Sequence, residues 1–131
     1  MTRTRASSKA AGSSHERAVA DYLAEHVSEF IDRRVTTGAA DKGDLANVRS
    51  AHGGRVVIEC KNTAKLNIGP HLVETQVERV NDGAVAGVLI QKRHGVGAVG
   101  RQIVVMEVDD LVALLVGKRP SAATPDTLEG T

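Results

Sequence analysis

Apolar positions along the chain switch between two periods. From residue 13 to about residue 30, Val19, Leu23, Val27 and Phe30 recur at helical spacing and predict a helix with one apolar stripe. Ser13 and Glu16, three residues apart, match a capping box at its start. Residues 34–37 predict a short strand, and residues 38–43 a glycine-containing loop. Leu45-Ala46-Asn47-Val48 and the run Arg55-Val56-Val57-Ile58-Glu59-Cys60-Lys61 flank the turn Ser50-Ala51-His52-Gly53-Gly54, the pattern of a β-hairpin. The second strand is apolar on both faces, as in a strand covered from both sides. Gly69-Pro70 opens a second helix whose stripe is Val73, Val77 and Val80 and which ends near Asn81-Asp82-Gly83. Residues 86–91 and 102–108 predict two more strands, separated by the glycine-rich loop from His94 to Gly100. Asp109 or Asp110 caps a last short helix over residues 111–116.

The expected fold is therefore α/β: a single small domain with a mixed central sheet flanked by helices, in the order helix, three strands, helix, strand, strand, helix. The predicted domain spans residues 13–117. Residues 1–12 are small, polar and basic and predict a flexible arm; residues 118–131 predict a disordered tail.

Composition narrows the function classes. At 131 residues the chain suits one modest core. No apolar run approaches a membrane span and no secretory signal is visible, so no membrane partner is expected. A single cysteine excludes an internal disulfide framework and fits a reducing, cytoplasmic location. Cysteine-rich zinc sites are excluded with it, and the five histidines show no ligand-type pairing. Net charge is only +1, but it is uneven. Arg3, Arg5 and Lys9 precede any acid, and Arg34, Lys42, Lys65, Lys92 and Arg93 add further basic positions, all candidate phosphate contacts. An ordinary solvated surface explains the same charges equally well. Aromatics are limited to Tyr22 and Phe30, which argues against base-stacking platforms.

The chemistry concentrates at the end of the strand over residues 55–61. Alternation puts Val57, Glu59 and Lys61 on one face and Val56, Ile58 and Cys60 on the other. An acid and a base at the end of a covered strand are costly unless paired or binding something. Hairpin pairing brings Asp44 towards Glu59. Two carboxylates and an ammonium in one cleft suit a divalent-metal site for phosphodiester hydrolysis. Simpler readings exist: Asp44 as a turn aspartate, Glu59 and Lys61 as an edge ion pair, Glu16 as a helix cap.

Asp44, fourteen intervening residues and then Glu59-Cys60-Lys61 resemble the signature of the PD-(D/E)XK nucleases, with Gly43 where that pattern has proline. The chain is most similar to the archaeal-type Holliday-junction resolvases within that superfamily. Gly12-Ser13-Ser14-His15-Glu16-Arg17 resembles their Gly-x-x-x-Glu-Arg helix start, and the glycine-containing loop before Asp44 and the Glu-Cys-Lys triplet also match. The resemblance runs from Gly12 to about Gln91. It implies a restriction-endonuclease-like αβββαβ core and a structure-selective DNA endonuclease that resolves four-way junctions. It further implies Mg²⁺, replaceable by Mn²⁺, held by Glu16, Asp44, Glu59 and the Cys60 main-chain carbonyl, with Lys61 as the fourth catalytic residue. Gln76 and Thr37 are candidate supporting residues. Branched double-stranded DNA and a second copy of the chain are the implied partners, with no small-molecule cofactor. A nicking, mismatch or restriction-type nuclease on the same core, or a non-catalytic DNA-binding protein, remain open alternatives.

Overall fold

The structure is a computed structural model that describes residues 4–35 and 40–120. Nine elements follow one another. Helix α1 is Arg5–His26, and the short strands β1 (Asp32–Arg33) and β2 (Leu45–Ala46) come next. They lead to β3 (Val56–Lys61), α2 (Ile68–Asp82) and β4 (Ala86–Gln91). A 3-10 turn at Val99–Arg101, β5 (Ile103–Val105) and α3 (Val108–Val116) complete the order. β3 and β4 are parallel, joined by α2 as a crossover, while β5 runs antiparallel to β4. β1 and β2 form a separate antiparallel pair. This is the small α/β domain with a mixed sheet that the hydrophobic pattern predicts.

The predicted hairpin forms, but in an interrupted way. Val56 N–H donates to the Val48 carbonyl, Ser50 N–H to the Gly54 carbonyl, and Arg49 bridges Arg55. Asn47 breaks the first arm at φ 67°, a left-handed conformation that asparagine tolerates better than most residues. Its side-chain amide donates to the Phe30 carbonyl, holding the chain that leads into β1.

Helix α1 begins eight residues before the predicted start. Thr4 is the N-cap, its hydroxyl accepting the Ser7 N–H at 3.0 Å, so residues 5–12 are the first turns of the helix rather than an arm. Ser13 and Glu16 are consequently helix-interior residues, and the capping-box reading of Glu16 fails. The helix also ends early, at His26. Val19 is buried and Leu23 packs on the core, but Val27 and Phe30 lie beyond the last turn and are exposed. The apolar core lies between α1 and one sheet face: Val19 and Ala20 meet Val56, Ile58 and Cys60 of β3 and Ala86, Val88 and Ile90 of β4. His15 Nε2–H donates to the Ile90 carbonyl at 3.1 Å and pins the helix to the sheet.

Helix α2 covers the other face, and it is turned opposite to its predicted stripe. Val73, Val77 and Val80 are exposed, at 66%, 55% and 65%. Thr75, Glu78 and Asp82 are the residues it buries. Leaving a valine in water forgoes about 1.5 kcal/mol or more of burial free energy, so this orientation runs against the hydrophobic effect. Packing geometry holds it. A Cβ at Gly87 would stand 3.1 Å from the Thr75 methyl and 3.3 Å from its carbonyl, so the helix lies directly on the strand. Asp82 accepts Arg34 and Arg55 as ion-pair partners. Asp110, at the start of α3, accepts the Gly87 N–H of β4, together with Gln76 Nε2 and Arg119. Arg119 is thus anchored, although it falls in the predicted tail; residues 121–131 lie outside the described residues.

Candidate active site

Asp44, Glu59 and Lys61 converge at the end of β3, whose alternation puts Glu59 and Lys61 on one face. Asp44 is the residue before β2. Its N–H donates to the Ile58 carbonyl at 2.9 Å, and its Oδ2 accepts the Cys60 N–H at 2.7 Å. Backbone groups of residues 56, 58 and 60 point to the same strand flank, so the Cys60 carbonyl faces the Asp44 side as well. The Cys60 thiol belongs to the core on the other face, and burial pushes its pKa up.

Gly43 explains how Asp44 reaches this position. Its φ is +91°, and a Cβ there would stand 2.8 Å from Val57 Cγ1 and 3.1 Å from the Ile58 carbonyl. Proline, fixed near about −65°, cannot adopt that backbone conformation. Asp41 shapes the same loop: its Oδ1 accepts the Gly43 N–H, and its carbonyl accepts Asn81 Nδ2 from the end of α2.

Glu59 is 5% exposed and lies under α2. Its carboxylate meets Asp44 on one side and Glu78 on the other. Lys61 Nζ is 3.7 Å from Glu59 Oε1 and 3.1 Å from Glu74 Oε2. Glu16 of α1 contributes to the field at Asp44 and Cys60, but its carboxylate is held by Arg33 Nη2 at 3.0 Å.

Electrostatics at the site are those of crowded, desolvated acids. Burial and then the Glu59 charge push Asp44 up to about 8, against the opposing Cys60 N–H bond. Burial and the facing Glu78 push Glu59 up to about 9, with Asp44 and Lys61 acting the other way. Burial raises Glu78 to about 7. Burial alone would lower the Lys61 ammonium, but Glu74 and Glu59 more than offset it and leave it above its ordinary value. Without a cation, the site therefore holds protons that ordinary carboxyls release.

Glu78, Glu74 and Asp41 have no counterpart among the site residues predicted from the sequence. One carboxylate oxygen from each, and one from Glu59, lie within 4.8 Å of one another. A sequence signal existed: Glu74 and Glu78 are four apart and share a helix face. The valine stripe of α2 masked it by assigning that face to solvent.

The supporting and DNA-contacting residues divide. Gln76 is turned away from the carboxylates, donating to Asp110 and accepting from Arg79. Arg34 pairs with Asp82, because a buried aspartate needs a cation. Lys92 Nζ donates to the Arg93 and Val96 carbonyls and so braces the glycine-rich loop. Arg93 donates to the Arg101 carbonyl. Arg5, Lys9, Lys42 and Lys65 are exposed. Arg3 and Thr37 lie outside the described residues. Among the described residues, no helix is long and apolar enough to cross a membrane. No protein-family model, curated protein or solved structure matches the chain.

Proposed function

We propose that the chain is a divalent-metal-dependent DNA endonuclease of the PD-(D/E)XK type that acts on four-way junctions. The observation that carries this reading is the convergence of Asp44, Glu59 and Lys61 at the end of β3, with the Cys60 carbonyl turned to the Asp44 side. The donor set fits the metal. Asp44, Glu59 and the Cys60 carbonyl offer hard oxygens of the kind Mg²⁺ and Mn²⁺ prefer, and Glu59 Oε2 is buried without a hydrogen-bond partner. Such an ion, when bound, would neutralise charge on the scissile phosphate and make a neighbouring water more acidic. Asp44 is held beside β3 by the Cys60 N–H bond to its Oδ2. Lys61 places its ammonium where it can orient the attacking water or stabilise charge on the phosphoryl oxygens. Glu16 stands at the rim, and exchange of its Arg33 partner would free it as a further ligand.

Junction cleavage tests the proposal. A labelled four-way junction, incubated with Mg²⁺ beside linear duplex, splayed-arm and single-stranded DNA, should be cut in preference to the others. Equal cutting of all four would replace junction resolution by a general nuclease, and no cutting in Mg²⁺ or Mn²⁺ would sink the enzymatic reading.

Resolution of a junction needs two opposed active sites, and one chain carries one. A second copy is the proposed partner, consistent with two-fold pairing as the commonest closed assembly. Its proposed contact is the outward valine face of α2, beside a groove of about 580 Å³ lined by Leu72, Val73, Val77, Val80 and Glu107. Exposed Leu111, Leu115 and Val116 of α3 enlarge the apolar surface. Sedimentation equilibrium at micromolar concentration should show a dimer, and Val73→Asp with Val77→Asp should give a monomer of unchanged helicity. A wild-type monomer, on its own and on junction DNA, would count against the resolvase.

A further inference from the structure

We infer that Glu78 and Glu74 of α2, with Asp41 and the shared Glu59, form a second binding position for a hard divalent cation, separate from the Asp44 side of Glu59. The four carboxylates come from three segments: the loop before β2, strand β3 and helix α2. Proximity of acids alone would not make a site. The deciding residue is Glu78. It is 1% exposed, and both of its carboxylate oxygens are buried without a hydrogen-bond partner. It shares the cluster with Glu59, whose Oε2 is likewise buried and unpartnered. A buried carboxylate in that state is expensive unless it takes up a proton or a cation satisfies it.

The surroundings are built to hold Glu78 there. Helix α2 keeps three valines in solvent while it turns Glu78 inward. The absence of a side chain at Gly87 lets the helix lie close on the strand at Thr75. Asp41 is fixed towards the cluster by Gly43 N–H and Asn81. Lys61 offsets part of the charge through Glu74 and Glu59, leaving Glu78 without a direct ion-pair contact from it. All donors are carboxylate oxygens, the hard ligands that suit Mg²⁺, Mn²⁺ or Ca²⁺. Asp41 and Glu74 are exposed, so the position opens to solvent on that side and a cation can enter.

The inference extends the metal-dependent reading above by a second ion, but its test reads binding rather than cleavage. Mn²⁺ alone is titrated into the full-length protein by calorimetry and by electron paramagnetic resonance, with melting temperature recorded with and without the ion. The wild type should bind two Mn²⁺ per chain. Glu78→Gln should lose one ion, or weaken it by about tenfold or more as a charged ligand is removed. It should also melt higher than wild type without metal, because a buried charge is gone. Asp44→Asn should lose the other ion and keep this one. If Glu78→Gln does not fold, Asp41→Asn with Glu74→Gln, both at exposed positions, should weaken the same ion. Mn²⁺ binding by Glu78→Gln identical to wild type, or one ion per chain that Asp44→Asn abolishes, would overturn the inference. Absent DNA cleavage with the Glu78-dependent ion retained would overturn the nuclease and leave the cation site standing.

Discussion

Asp44→Asn and Glu59→Gln should each lower junction cleavage by on the order of a thousandfold or more without lowering the melting temperature. Both substitutions keep size and remove a charge. In Asp44→Asn the new amide still presents an oxygen to the Cys60 N–H, so the contact between the β2 and β3 segments survives. In Glu59→Gln the amide relieves repulsion with Asp44 and Glu78 and supplies a donor to an orphaned carboxylate oxygen. Loss of activity combined with equal or higher stability is the signature of groups kept for chemistry at a cost to folding. Lys61→Ala should lose activity to a similar degree but should also lower the melting temperature, because it leaves Glu59 and Glu74 without their cation. Single-turnover rates and melting curves on the same preparations check all three. Full activity in any one variant would remove that residue from the mechanism. Activity lost only in step with stability would return the residue to a structural role.

The metal-free protein should lose stability as pH rises. Asp44, Glu59 and Glu78 all have folded-state values raised above the ordinary carboxylate range, to about 8, 9 and 7. Above about pH 4 the unfolded chain releases these protons while the folded chain keeps them, so unfolding releases protons and a higher pH favours it. The contribution is complete below the unfolded values near about 4 and is gone once pH has passed the folded values of about 7 to 9. In chelator, the melting temperature should fall by about 5 °C or more between about pH 5 and pH 9. Glu59→Gln and Glu78→Gln should each flatten that fall. Millimolar Mg²⁺ or Mn²⁺ should flatten it as well, since a cation replaces the protons and stabilises by mass action. A melting temperature that is level or rises over this range, and is equal in the variants, would mean that the carboxylates are solvated rather than crowded.

Strand β3 was fully legible. Its side-chain period of two is a local property of extended backbone, so the shared face of Glu59 and Lys61 and the core position of Cys60 follow from the residues alone. The element order from β3 onward was legible for a related reason: glycine, proline or asparagine signals punctuate that part of the chain, and Gly83 does end α2 at φ 63°. The start of α1 was not. Thr4-x-x-Ser7 and Ser13-x-x-Glu16 are both cap signals, and residues 5–12, rich in alanine and without glycine before Gly12, propagate a helix once Thr4 starts it.

The orientation of α2 was decided by tertiary contacts. A valine stripe at helical spacing reports only that an apolar face exists; whether that face meets the sheet or another partner depends on what the sheet offers. Here the sheet offers a bare backbone at Gly87 that admits Thr75, and an ammonium at Lys61 that pairs with Glu74 of the polar face. The same rotation brings Glu74 and Glu78, fifteen and nineteen residues after Glu59, into contact range of it. Local periodicity determined the part of the site on β3, and the turn at Gly43 with pairing to β3 brought Asp44 to it. The second half exists only because the crossover helix lies on the strand with its acids inward, a choice made by close packing that no spacing within the helix encodes.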